Sequence, residues 1–510
     1  MKNKWNKILA LVLAVLTVLS CFAFVACSDD TNEPPKTDDK TPGSNTDTPG
    51  TSGDESDDEN KGEDYIMSIP TQNYGETFTM LTDTGDVRRK ELFIADEYEA
   101  AADTMDTAIF YRNNRVAEHL GITIANVTAP CTWQERDEYI NRIYASFSTG
   151  DQDFQMASCY MAFAANGAIA GYYYDVNSID AIDLNDSWYV QSWFDNTLIN
   201  DHCYLILGDA SITMWRNLGA LYFNKQVSEQ LNITDTLYEM AADGDWTFEY
   251  LMECAMLNSA DNGNDVWDEA DTYGFYINRF HARAMVTYFD IPVTVVNQND
   301  EYEICLYNER TEDIYGALHS YLWDNDCVYK TLKADGDTET GKNMFVEDRL
   351  LFLPANLQYS QDLRSMDGDF GILPMPKLNG EQENYRSHPS DNMSVFLIPG
   401  HVTDAEYVGT VVDALNAESK YSVIPTYYDV VLKGRTTKDE QSAAMLDIIR
   451  DNLAFDFSFA HLNALDNMWT KFGQCLMEEA TSSFKPYYDK NIEAWETLLE
   501  GVMESYWGVR

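Results

Sequence analysis

The folded part of the chain opens with short apolar runs that alternate with helical stripes. Residues 77–81 (TFTML) predict a strand ending at Thr82 and Asp83. Ile109, Val116, Ala117 and Leu120 recur at helical spacing, so residues 106–120 predict a helix with Gly121 just past its end. A strand at 122–127, a helix at 134–147 and a strand at 154–159 continue the alternation. Strands separated by helices of this length make βαβ units and a mostly parallel sheet. Ligands in such sheets sit beyond the carboxyl ends of the strands, which makes Asp83 and Tyr160 candidate cleft residues.

The stretch 204–225 (YLILGDASITMWRNLGALYFNK) has a different pattern. Two apolar runs, 204–207 and 218–223, predict buried strands, and the polar segment between them carries Asp209, Trp215, Arg216 and Asn217. An indole, a guanidinium and a carboxylate between buried strands suit the floor of a cleft at a crossover. Further on, residues 227–240 predict a helix, Thr247 a helix N-cap, 261–271 a polar acidic loop and 273–277 a strand. Residues 313–323 predict a helix, and 350–353 a buried strand read as the returning crossing, followed by Asn356, Gln358 and Tyr359. The paired prolines in 369–377 keep that segment extended, and 395–398 is another strand. The remainder predicts helices, with stripes such as Tyr407, Val411, Val412, Leu415 and Trp469, Phe472, Leu476.

The first residues add a compartment. Lys2, Lys4 and Lys7 precede an apolar run at 8–19, the form of an export signal. It ends at Ala26-Cys27, which resembles a bacterial lipobox; the implied outcome is cleavage before Cys27 and acylation of that cysteine, a stable anchor once two or more chains are attached. The alternative is plain secretion with Cys27 as a bystander. Residues 28–64 are rich in Thr, Pro, Gly, Ser and acids and lack aromatics, so they predict a disordered tether. About 445 residues remain, enough for two or three domains.

Composition narrows the partners. The net charge of −51 argues against nucleic acid. Aromatics reach 13 % with 32 Tyr and 11 Trp. Seven cysteines follow Cys27 without a CxxC, and they read as small buried apolar residues. The segment 336–343 is a near miss to a P-loop, ending in Asn343 where Ser or Thr belongs.

Several blocks then line up in order: the lipobox and tether, YRNNRVAEHLGITI (111–124), AIDLNDSWYVQSWFD (181–195), LGALYFNK (218–225), LYEMAADGDWTFEYL (237–251), DEADTYGF (268–275), DFGILPMPK (369–377) and AESKYSVIPTYYDVVLK (417–433). Together they resemble the extracellular solute-binding lipoproteins of carbohydrate-type ABC importers. The resemblance implies an α/β, two-lobed, type II periplasmic-binding-protein-like fold with a hinge cleft, in which a monomer binds a solute between the lobes, closes, and docks on a membrane permease without covalent chemistry. Lobe 1 is expected over 65–215 and again over 351–400, lobe 2 over 216–350, and a shared helical part over 401–510. The chain departs from the family where paired tryptophans are usual, since Trp188 and Trp193 are split.

Sugar recognition needs flat aromatic faces and fixed polar groups. The candidate set is Asp83, Tyr160, Asp209, Trp215, Arg216, Asn217, Asn356 and Tyr359, with Gln358, Tyr427 and Tyr428 beside it. The alternative puts Trp215 in the core, Arg216 in an ion pair and Tyr427 and Tyr428 in helix packing. Asn262, Asn264, Asp268 and Asp271 have the spacing of a calcium loop without its first carboxylate, and the alternative is a solvated acidic loop. No cofactor is required. The rival functions are an exported glycoside hydrolase, which needs two suitably spaced carboxylates, and a surface glycan-binding lipoprotein without a transporter.

Overall fold

The computed structural model describes residues 69–83, 104–151, 153–332, 338–433 and 440–507. The export signal, Cys27 and the tether through residue 64 lie outside the described residues. The strands, in chain order, are β1 (Thr77–Asp83), β2 (Thr123–Ala129), β3 (Met156–Tyr160), β4 (Gly219–Asn224), β5 (Tyr273–Asn278), β6 (Thr294–Val296), β7 (Tyr302–Ile304), β8 (Val328–Thr331), β9 (Leu350–Asn356), β10 (Phe370–Leu373) and β11 (Ser394–Leu397).

Four strands form one sheet in the order β11-β3-β1-β2. Here β1 runs parallel to β2 and β3, as the βαβ pattern requires, and β11 is antiparallel to β3. Five form a second sheet in the order β10-β4-β9-β5-β8. In it β5 is parallel to β8 and β9, while β4 is antiparallel to both its neighbours. β6 and β7 pair as a separate antiparallel ribbon. The helix Thr104–Leu120 buries Ile109, Val116 and Leu120 against the first sheet's core. It stops at Gly121, whose φ of 61° is the left-handed conformation that glycine adopts without penalty, and a Cβ there would lie within 2.5 Å of Asn73. Thr247 caps the helix Phe248–Met256 by accepting from the Tyr250 amide, as its position predicts.

Three segments differ from their sequence expectations. Residues 204–207 do not form a strand of either sheet; Ile206 makes an isolated bridge to Phe396, at the outer edge of β11. The helix expected over 227–240 is two helices, Lys225–Leu231 and Thr234–Ala242, because Asn232 takes a left-handed turn with φ 59° between them. Leu350–Asn356, read as the returning crossing, lies in the middle of the five-stranded sheet between β4 and β5. The apolar run that suggested a crossing reflects burial on both faces of a central strand. Pairing with the four-stranded sheet resumes only at β11.

The C-terminal part is helical. Ala405–Glu418 buries Tyr407, Val411, Val412 and Leu415. It passes into π-helical turns at Ser419–Val423 and Thr426–Lys433, on either side of Pro425, which has no amide hydrogen to donate. Helices Glu440–Asp451, Met468–Leu476 and Lys485–Trp507 follow. Among the described residues no helix is long and apolar enough to cross a membrane.

Candidate functional site

The chain passes from the first sheet to the second at Asn217 and Leu218, and three backbone connections gather there. The Gly219 amide donates to the His388 carbonyl at 3.0 Å, the Ser390 amide to the Asn217 carbonyl at 3.0 Å, and the Leu357 amide to the Leu218 carbonyl at 2.8 Å. These bonds bring the start of β4, the end of β9 and residues 388–392 to one place. Above them lies a cavity of about 430 Å³. Tyr160, at the carboxyl end of β3, contributes to its wall from the first sheet. The second sheet supplies Gly219, Ala220 and the β9 residues from Leu353 to Asn356. The short helix Arg279–Arg283, which follows β5, adds Phe280, His281 and Arg283, and Trp469 closes another side. The cavity therefore lies at the carboxyl ends of β3, β5 and β9, beside the start of β4, and takes residues from both sheets.

The polar part of the wall is an amide network. Asn217, itself buried, accepts at Oδ1 from Asn356 Nδ2 at 3.0 Å and from Gln358 Nε2 at 2.9 Å. Ser390 Oγ donates to Asn356 Oδ1 at 3.0 Å. Asn217 thus holds two cavity amides in fixed orientations without lining the cavity itself. Tyr359 lines the wall and donates to the Thr338 carbonyl at 3.3 Å. Gly219 is required at its position: a Cβ there would meet the Tyr288 hydroxyl at 2.0 Å.

Charge on the wall is sparse. Arg283 and Asp391 are the guanidinium and the carboxylate among its residues, and they pair with each other at 3.6 Å. Burial pushes His281 and His388 down to about 4, so both rings are neutral near pH 7. The His388 Nδ1 bonds to the Ala454 carbonyl at 2.9 Å, which fixes the proton on Nδ1. Its ring packs on Trp469, with centroids 4.7 Å apart. Six further aromatic or indole side chains, Tyr160, Tyr276, Phe280, Tyr288, Tyr359 and Trp469, supply flat apolar faces.

Of the residues expected from the sequence, Tyr160, Asn356 and Tyr359, together with Gln358, line the cavity, and Asn217 supports them from below. Asp83 is buried and accepts the Cys131 amide at 2.8 Å, tying the loop after β2 to the end of β1. Asp209, Trp215 and Arg216 are buried away from the cavity wall. Burial raises the Asp209 carboxyl to about 8, against the opposing effects of Lys420, Trp215 and Arg450. Trp215 meets Tyr428 edge-on at 5.9 Å, and Tyr427 and Tyr428 are core residues. Trp188 and Tyr189 both donate to the buried Asp413, and Trp193 donates to the Leu205 carbonyl.

The proposed calcium loop is organised by its own backbone. Asp271 accepts the Asn262 amide at 2.8 Å and the Asp268 amide at 2.7 Å. Asp261 caps Gly263, Asn264 and Asp265, and the Asn264 and Asp268 side chains accept from Val266 and Ala270. Among the described residues no three His, Cys, Asp or Glu side chains gather as a metal cluster. The side-chain oxygens of Asn264, Asp268 and Asp271 thus accept the loop's own amides.

Phe280, His281, Arg283, residues 388–392 and Trp469 escaped sequence reasoning. A signal for the first three exists. Asn278 ends β5 and caps the following helix by accepting the Phe280 and His281 amides, so the strand-end rule that selected Asp83 and Tyr160 applies equally to Asn278–Arg283.

No protein-family model and no curated protein matches the chain. Solved structures do. A cyclo/maltodextrin-binding protein, complexed with maltotetraose, superposes with a TM-score of 0.53 at 11 % identity, over 84 % of this chain and 97 % of that one. UspC of M. tuberculosis gives 0.51 at 11 %, over 80 % and 99 %. The GacH receptor of Streptomyces glaucescens, solved unliganded and with acarbose, gives 0.50 at 13 %, over 83 % and 98 %. The fold is that of a type II solute-binding protein. In this solute-binding fold the cavity at Asn217–Gly219 occupies the junction of the two sheet-centred lobes.

Proposed function

We propose that the chain is a lipid-anchored extracellular receptor that captures a neutral saccharide at this cavity and hands it intact to an ABC-type permease. The fold supports capture between lobes, and the ordered sequence blocks and the lipobox at Cys27 support the anchor and the importer. The observation that carries the ligand class is the wall itself. In a chain with 85 acidic residues, the described cavity wall holds one carboxylate, paired with one guanidinium, among aromatic rings, amides and neutral histidines. A polyamine needs several carboxylates in place of these groups. A polyhydroxylated ring needs apolar faces and fixed amide donors and acceptors, which are present. Glycoside hydrolysis uses two carboxyl groups, and Asp391 is the carboxylate on the described wall.

A thermal-shift screen against neutral saccharides, peptides and polyamines, with product analysis of each hit, tests this reading. Binding at one hundred times Kd adds about 2.7 kcal/mol, a rise of roughly 3 °C for a chain of this size. The expected result is a shift by a saccharide that is recovered intact. A shift by polyamines or peptides alone, or cleavage of the saccharide, contradicts it.

A further inference from the structure

Trp133 is 53 % exposed, unusual for so large an apolar side chain, and it stands one ring away from the cavity. Its indole meets Tyr160, a wall residue, at 6.3 Å edge-on, and Phe163 at 5.3 Å. The Arg136 guanidinium lies over it at 4.4 Å and also donates to the Trp133 carbonyl. The loop that carries it is held at both ends: Asp83 accepts the Cys131 amide at 2.8 Å, and Thr132 donates to Glu135 at 2.7 Å. A rigidly placed tryptophan, backed by a guanidinium and open to solvent, is a stacking surface set out before any ligand arrives. On the second sheet's side, Phe280 lines the cavity, is 42 % exposed, and is likewise backed by a guanidinium, Arg283, at 4.6 Å.

We infer that Trp133 is an outer stacking site continuous with the cavity through Tyr160, so that the preferred ligand is an oligosaccharide with at least one ring beyond those the cavity encloses. Asp83 acts as a positioning residue for this platform. The inference rests on the proposed saccharide reading and narrows it from sugars in general to chains.

The test is calorimetric titration of the full chain and of Trp133→Ala and Trp133→Phe with α- and β-linked glucose oligomers of one to six units. The expected result is affinity that rises with length in the wild type, a loss of about tenfold for the longer oligomers in Trp133→Ala, the scale of one aromatic contact, and near wild-type values for the shortest binder and for Trp133→Phe. Trp133 fluorescence should gain protection from a soluble quencher with the longer oligomers only. Saccharide binding that ignores chain length, or that Trp133→Ala leaves unchanged or weakens equally at every length, overturns the platform and leaves the saccharide reading standing. Absence of binding by every oligomer overturns the chain-length inference, and the saccharide reading falls with it only where the screen of neutral saccharides is also silent.

Discussion

Two polar clusters grow from the same short stretch, and only one serves the cavity. Asp209, Trp215 and Arg216 lie within eight residues of Asn217 and share the local pattern that makes it a cleft candidate. Asn217 turns toward Asn356 and Gln358 and steadies two groups on the cavity wall. Asp209 and Trp215 turn the other way and are sealed by Tyr428 and by the neighbourhood of Lys420 and Arg450, supplied by chain about two hundred residues later. Which polar group becomes a site and which becomes core is thus decided by what distant helices cover, not by the local pattern that placed it at a strand end.

The largest expected effect breaks the sealed cluster. Tyr428→Ala removes a fully buried ring and should cost about 3–5 kcal/mol in denaturant unfolding, while ligand affinity of the protein that remains folded stays the same. A large affinity loss instead would place Tyr428 in the site.

Next comes a pH effect on the cavity side. Unfolded histidine titrates near 6.5, and burial among Phe455, Phe459 and Trp469 holds His388 down to about 4. The unfolded chain therefore binds the extra proton in that window. The stability contributed by the neutral ring is fully present above about pH 6.5 and is lost as pH falls toward 4. Wild type should lose up to about 3 kcal/mol relative to His388→Gln across that window. A stability gap that does not change with pH contradicts the neutral, buried ring. Because burial holds His281 and His388 down to about 4 in the fold, both rings stay uncharged from about pH 5.5 to 8, and ligand affinity should be flat over that span in the same titrations.

Asn217→Ala sharpens the comparison from the open side. It removes the acceptor of two wall amides and should weaken ligand binding about tenfold, near 1.4 kcal/mol, with a stability cost of about 1–2 kcal/mol for the orphaned donors. Smallest is Asp271→Ala in the loop far from both clusters. It deletes the acceptor of two amides and should cost about 1 kcal/mol, with ligand affinity unchanged and a melting temperature that a chelator does not move.

Much of the fold was legible because it rests on local pattern. The βαβ alternation through residue 160, the Gly121 stop and the Thr247 cap each follow from residues close in sequence. What escaped depends on remote pairing. A central strand such as β9, antiparallel to β4 and parallel to β5, presents the same continuous apolar run as a crossing strand, so the run at 350–353 does not by itself distinguish the two. The cavity was half legible. Tyr160 and Asn356 sit at strand ends, as the rule for open α/β sheets predicts, and Tyr359 follows in the helical turn just after β9, whereas Trp469 and residues 388–392 reach the wall only through tertiary contacts that no spacing announces.

The most direct measurement is calorimetric titration of the wild type and of an Asn356→Ala, Gln358→Ala variant with the neutral saccharide that shifts melting most, beside a polyamine and a peptide. The account predicts one-to-one binding of the saccharide alone, recovery of the sugar intact, and a loss of at least tenfold in the variant. Saccharide binding that the variant leaves untouched, or binding of the polyamine or peptide in its place, would contradict it.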